Sequence, residues 1–205
     1  MKKVIQEADL EMLREMGNIG AAHAATSLAA LLQCRVDMAI PKVYLRSIED
    51  AAKVIPGSDR PVACVFFSLE GDIQGYIAHV INAAGVAGLA EQLIGPGAEV
   101  GTEPDAMTSS MISEIGNVLT GAFLNAIADM TGMSVLPSTP LFAFDMVEAI
   151  MATLLSAICG DADQVLLFET VLQKETGDID SHLLLLPDED SLQKLYEAAV
   201  RKFQV

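Results

Sequence analysis

Two short segments 99 residues apart share one pattern, Glu15-Met16-Gly17-Asn18 and Glu114-Ile115-Gly116-Asn117. A proline follows each asparagine at the same distance of 23 residues, as Pro41 and Pro140. Both segments fall inside long stretches that read as amphipathic helices, where residues three apart share a face. Each copy therefore sets a carboxylate beside a carboxamide. Glycine inside a helix costs about 1 kcal/mol against alanine, and asparagine up to about 0.7 kcal/mol. Two Gly-Asn pairs thus give up about 3 kcal/mol of helix preference, out of a total stability of roughly 5–15 kcal/mol. One explanation is local: each glycine lets a neighbour pack closely and each asparagine serves a turn. The other is a duplicated site, and the matched register of Glu, Asn and Pro favours it.

Read in order, the chain performs one sequence of elements twice. The spacing predicts a helix over 9–33, with Asp9 at its N-cap and Leu10, Leu13, Met16, Gly17, Gly20 and Ala24 as its apolar stripe. Glu11, Glu15 and Asn18 follow an i, i+4, i+7 line on an adjoining face. Residues 34–45 alternate like a strand, with Val36, Met38 and Ile40 on one side; Pro41 interrupts it and points to an edge or a bulge. A short helix over 47–54 ends at Pro56-Gly57-Ser58. Strands over 62–68 and 73–81 form a hairpin, and Asn82 caps a helix that runs to Ile94.

After a Gly/Pro-rich connector at 96–105 the cycle restarts. A helix over 107–131 carries Ser110, Glu114 and Asn117, followed by a strand over 133–144 with Pro137 and Pro140. A helix over 145–159 and strands over 164–173 and 181–186 come next, the strands joined across Thr176-Gly177-Asp178. Asp188 caps a last helix over 191–203. A three-stranded half has open edges, and joining two halves removes a pair of them. The expectation is one α/β (α+β) domain over 1–205, built from repeats of about 7–95 and 106–204. It is pseudo-twofold, with a central six-stranded, mainly antiparallel sheet and the long motif helices together on one side.

Composition narrows the setting. The chain has 205 residues, 28 acidic against 12 basic, for a net charge of −16. Such a surface repels phosphate backbones and anionic lipid, which argues against nucleic-acid binding and membrane insertion. The near-apolar runs at 21–32 and 149–159 are shorter than the ~18–20 residues of a membrane span. The first residues turn acidic before any signal-peptide core forms, so a cytoplasmic protein is expected. Cys34, Cys64 and Cys159 stand apart among apolar neighbours and read as reduced core thiols.

No Ser-His or Cys-His pair accompanies either motif, so nucleophilic catalysis lacks its base. Ligands for a tightly held metal are also too few. A carboxamide cannot take a proton at neutral pH, but it donates and accepts hydrogen bonds together, which suits it to orienting a water. What remains is hydrolysis by positioning, with the substrate supplying much of the machinery.

The pattern Ser/Asp-x3-Glu-x2-Asn-x22-Pro is complete at Ser110, Glu114, Asn117 and Pro140. It resembles the CheC/CheX/FliY family of bacterial chemotaxis phosphatases. The first copy, Glu11, Glu15, Asn18 and Pro41, departs only at its first position. The resemblance covers essentially the whole chain, and two sites without a further domain are similar to the CheC branch. It implies hydrolysis of the phosphoaspartate of the response regulator CheY. By that analogy Asn18 and Asn117 hold the attacking water, while Glu15 and Glu114 pair with the regulator's active-site lysine. The resemblance further implies no cofactor of the chain's own, with Mg2+ carried by the regulator, and the deamidase CheD as a second partner. One departure is Ala22-His23, where the family often has Gly-Asn; His23 is turned too far round the helix from Asn18 to join it. The alternative is a non-catalytic binding module for CheD or for flagellar switch components.

Overall fold

Each long helix opens the same run of elements, and the two runs share one sheet. The computed structural model describes residues 7–39, 41–51, 53–55, 60–95, 103–159, 164–174 and 180–203. The first run is α1 (Glu7–Leu32), β1 (Val36–Met38), β2 (Lys42–Ser47), α2 (Ile48–Ala51), β3 (Pro61–Gly71), β4 (Gly75–Asn82) and α3 (Ala83–Leu93). The second is α4 (Ala106–Thr131), β5 (Val135–Pro137), β6 (Leu141–Met146), α5 (Val147–Cys159), β7 (Gln164–Lys174), β8 (Asp180–Pro187) and α6 (Glu189–Phe203).

Local chemistry sets the helix starts. The Asn82 side chain accepts from Gly85 N at 2.7 Å, and Asp188 does the same for Ser191 N at 2.7 Å. Asp105 caps α4 by accepting from Thr108 N at 2.8 Å, and that hydrogen bond holds its carboxyl below the usual range. Asp9 lies inside the described span of α1, so it is not the N-cap expected from the sequence. Parts of the expected connector and turns (residues 96–102, 56–58 and 176–178), together with Ile40, lie outside the described residues.

The sheet is antiparallel throughout. β4 and β8 pair at its centre, with Ala78 opposite Leu184, and β3 and β7 flank them. The outer position beside β7 is shared by β1 and β2, and that beside β3 by β5 and β6. Among the described residues eight strands therefore fill six positions, in a pseudo-twofold arrangement. The single strands expected over 34–45 and 133–144 are each broken in two. Lys42 faces Glu169 while Met38 faces Leu172, and Leu141 faces Phe66 while Pro137 faces Leu69. Each outer strand thus has one residue more than its partner across the break, a bulge that takes in Pro41 or Pro140. Proline cannot donate to the ladder, and an edge bulge tolerates that.

The halves are interleaved, a feature the sequence pattern did not show. Each outer strand pairs with a strand of the other half. Each long helix also lies on a strand of the other half. A β-carbon at Gly17 of α1 would stand 3.2 Å from the Phe168 ring on β7, and one at Gly116 of α4 would stand 2.9 Å from Val65 Cγ1 on β3. The two long helices meet each other where Gly20 abuts the Phe123 ring, with no room for a β-carbon.

Alternation along the strands feeds two cores. Ala63, Val65, Phe67, Ile77, Phe168, Leu183 and Leu185 face the layer of α1, α4, α3 and α6. Val62, Cys64, Ala78, Val80, Leu167, Leu184 and Leu186 face α2 and α5. Cys34 and Cys64 are free thiols, and burial pushes Cys64 up to about 12. Helix α4 is long and apolar enough to cross a membrane by length and composition, longer than the apolar runs at 21–32 and 149–159. Half of that stretch is buried, and Ile112, Ile115, Leu119 and Phe123 supply the core under it.

His79 is fully buried on the long-helix side of β4, 3.3 Å from Ser181 Oγ through Nδ1, and its Nε2 has no partner among the described residues. Burial lowers its pKa from 6.5 to about 3. The unfolded chain therefore takes up this proton first as pH falls. His79 withdraws stability from about pH 6.5 down toward about 3, at close to 1.4 kcal/mol per pH unit. Urea denaturation of His79→Leu across that window is expected to show a flatter loss of stability than the parent.

The helix seats give a second expectation. Gly116→Ala drives a methyl into a β-branched strand residue and is expected to destabilise by about 1–3 kcal/mol. Gly17→Ala is milder, because a small cavity of about 10 Å3 lined by Gly17, Pro41, Phe123 and Phe168 lets the ring give way. Equal shifts in the urea midpoint for the two variants would contradict this.

Candidate functional site

On α1 the buried stripe runs through Leu13, Met16, Gly17, Gly20, Ala21 and Ala24, and on α4 through Ile112, Ile115, Gly116, Leu119 and Phe123. The opposite side of each helix carries the motif. Glu11, Glu15, Ser110, Glu114 and Asn117 are exposed, and Asn18 is half-buried. In each copy the glycine and its asparagine are adjacent in sequence yet differ in role. The glycine faces the sheet and sets how deeply the helix sits; the asparagine faces outward. The local explanation of the motif therefore holds for Gly17 and Gly116. It does not hold for the asparagines, which lie mid-helix and cap nothing.

Among the described residues, the side chains of Glu15, Asn18, Glu114 and Asn117 make no hydrogen bond or ion pair within the chain. A helix thus presents, one turn apart, a carboxylate with open lone pairs and an amide with open donors and acceptors. The exposed parts of such groups hydrogen-bond to water until a partner replaces it. The rigid setting matters as much as the residue types. Each helix is pinned from below by its glycine seat and from the side by its neighbour. The pair therefore keeps its spacing without ligand.

The two copies are not equal. Pro41 is buried, and a β-carbon at Gly17 would stand 3.8 Å from it, so the first bulge packs under α1. Pro140 is exposed and is not among the atoms nearest Gly116. The first motif position also differs. Glu11 forms an exposed ion pair with Arg14, one turn along α1. At the matching places on α4 stand Ser110 and Ser113, and the Ser113 hydroxyl donates to Ser109 O at 2.8 Å. Sequence reasoning passed over Arg14, although its place three residues after Glu11 and four before Asn18 puts it on the motif line.

The other histidines lie away from the motifs. His23 is exposed on α1, and His182 Nδ1 is 2.8 Å from Glu169 Oε1. The Tyr44 hydroxyl donates to the other oxygen of that buried carboxylate at 3.2 Å, and burial with the adjacent charge raises the tyrosine's pKa. Glu169 faces the α2/α5 side, since the neighbouring Phe168 faces the long helices. Among the described residues no group of three or more His, Cys, Asp or Glu is placed to hold a metal ion.

Comparison with known proteins identifies the chain's relatives. The model of the CheC-like family matches residues 10–45 and 107–142, the two stretches that run from each motif helix to its bulged strand. The chain is 33% identical over 198 residues to the CheY-P phosphatase CheC of Bacillus subtilis, covering 95% of each chain. Its fold is similar to the crystal structure of Thermotoga maritima FliY, with a TM-score of 0.78 at 20% identity over 98% of this chain and 100% of that one. It is also similar to a chain of the CheX-CheY-BeF3-Mg2+ complex from Borrelia burgdorferi, with a TM-score of 0.54 at 18% identity over 82% of this chain and 94% of that one. Sequence, fold and the doubled motif converge, and the chain belongs to the CheC-like family.

Proposed function

We propose that this protein is a phosphatase that removes the phosphoryl group from the phosphoaspartate of a CheY-type chemotaxis response regulator. The observation that carries this reading is the pair of outward-facing acid–amide couples, without partners among the described residues, on two helices pinned to the sheet. The likeness to a CheY-P phosphatase over nearly the full length of both chains supports the substrate. A structural relative is seen in complex with CheY and supports the partner class.

In this reading one helix face enters the regulator's active site. Glu15 or Glu114 pairs with the regulator's lysine and fixes the approach. Asn18 or Asn117 accepts a hydrogen bond from a water and holds its oxygen in line with the P–O bond to be broken. The water oxygen bonds to phosphorus, the aspartyl carboxylate leaves, and the water's proton goes to solvent or to the released phosphate. No covalent intermediate on this chain is needed, because phosphoryl transfer rewards positioning and electrostatics. Mg2+ belongs to the regulator here, and this chain contributes no cofactor. Pro41 and Pro140 act at a distance, by shaping the strands next to the motif helices. A cytoplasmic setting fits such a substrate, and CheD remains a second partner within the same proposal.

Following acyl-phosphate loss from the phosphorylated regulator tests the reading. The double variant Asn18→Ala/Asn117→Ala is expected to lose about 100-fold or more of the added hydrolysis, as expected when a reacting water is no longer placed. Of the single variants, Asn117→Ala is expected to lose the larger share, since Asn117 is exposed where Asn18 is half-buried, and its motif is complete. A double variant as fast as the parent would remove the catalytic assignment. Tight CheD binding with no hydrolysis by the parent would favour the adaptor reading.

A further inference from the structure

The two motif faces carry different charge patterns, and the difference lies in residues outside the Glu/Asn couples. On α1, positions 11, 14, 15 and 18 fall on one side of the helix and read Glu, Arg, Glu, Asn. On α4, positions 110, 113, 114 and 117 read Ser, Ser, Glu, Asn. Both faces sum to one negative charge, but the first spreads it as an alternating minus, plus, minus and the second as a single minus. Arg14 is 37% exposed, and among the described residues its ion pair is with Glu11, itself 71% exposed. An ion pair this open is weak and screened by salt, so its guanidinium can exchange partners at little cost. Ser113 cannot play this part, since it is neutral and its hydroxyl is bonded back to its own helix.

We propose that Arg14 is a specificity-determining residue of the first face, which grips an oxyanion of the phosphorylated regulator beside the reacting phosphorus. The proposal rests on the phosphatase reading. Docking brings a phosphoryl group of nearly two negative charges to within reach of this helix turn. Guanidinium meets phosphoryl or carboxylate oxygens through two parallel hydrogen bonds, a geometry that lysine does not reproduce. Glu11 holds the guanidinium on the motif side in the free protein and is the group it leaves on docking. The first face thus selects a regulator that offers a negative group next to its lysine. The second face asks only for the lysine.

The test isolates the first face by working in an Asn117→Ala background. Steady-state hydrolysis of phosphorylated regulator is measured from low to high salt for Arg14→Ser and Arg14→Lys. Arg14→Ser is expected to raise KM about fivefold to tenfold with kcat within about twofold, as for loss of a charged interface contact. The rise of KM with salt should also become shallower. Arg14→Lys is expected to restore the salt dependence but only part of the affinity. Binding to beryllofluoride-activated and to unphosphorylated regulator separates the sources of the oxyanion. A loss confined to the activated form assigns the phosphoryl group, and an equal loss in both assigns a carboxylate. Unchanged KM and salt dependence in Arg14→Ser would overturn the proposal. No hydrolysis by the Asn117→Ala parent would overturn it too, while leaving the phosphatase reading to be judged on Asn18→Ala.

Discussion

Everything at the motif depends on how closely two helices can approach one sheet. Gly17 rests against Phe168 and Gly116 against Val65, and in each case the strand beneath comes from the other half of the chain. A larger residue at Gly116 lifts the helix and with it the acid–amide couple one position away, whereas at Gly17 the Phe168 ring yields first. The helix-propensity cost of those glycines, about 1 kcal/mol each, is offset by burial beneath them. The structure thus explains why a residue so poor for helices stands at the middle of both long helices.

The interleaving ties the two motifs together mechanically. Because α1 and its outer strand lie on β7, and α4 and its outer strand on β3, neither half closes its core alone. Sharing of this kind also sets the motif faces as fixed ridges, in keeping with a site that works by presenting groups and not by closing over a substrate. The buried histidine near the centre of the sheet and the hydrogen-bonded Glu169 on its far face belong to this scaffold.

Much of this was legible in the residues themselves. The glutamate–asparagine spacing placed both couples on helix faces, Asn82 and Asp188 marked helix starts, and the prolines marked interrupted edge strands. Which strand each outer segment would join was not legible. Val36–Met38 and Lys42–Ser47 carry an alternating pattern that fits any open edge; in the structure they join β7, over which α1 packs at Phe168. The bulge itself was foreshadowed at Pro41, where a proline in a strand pattern points to an edge or a bulge, but its split of the strand into two was not. The inequality of the sites was partly hidden as well. The Glu11/Ser110 difference is visible in sequence, whereas the burial of Pro41 against the exposure of Pro140 arises from the shape of the two bulges.

The central claim is that a motif helix face, and no other surface, meets the regulator's phosphorylated aspartate. The structure of this protein bound to the beryllofluoride-activated regulator tests it most directly. The account predicts Asn18 or Asn117 within about 3 Å of a water in line with the beryllofluoride, and the neighbouring glutamate paired with the regulator's lysine. A complex in which the regulator sits elsewhere, with both motif faces open to solvent, would contradict it.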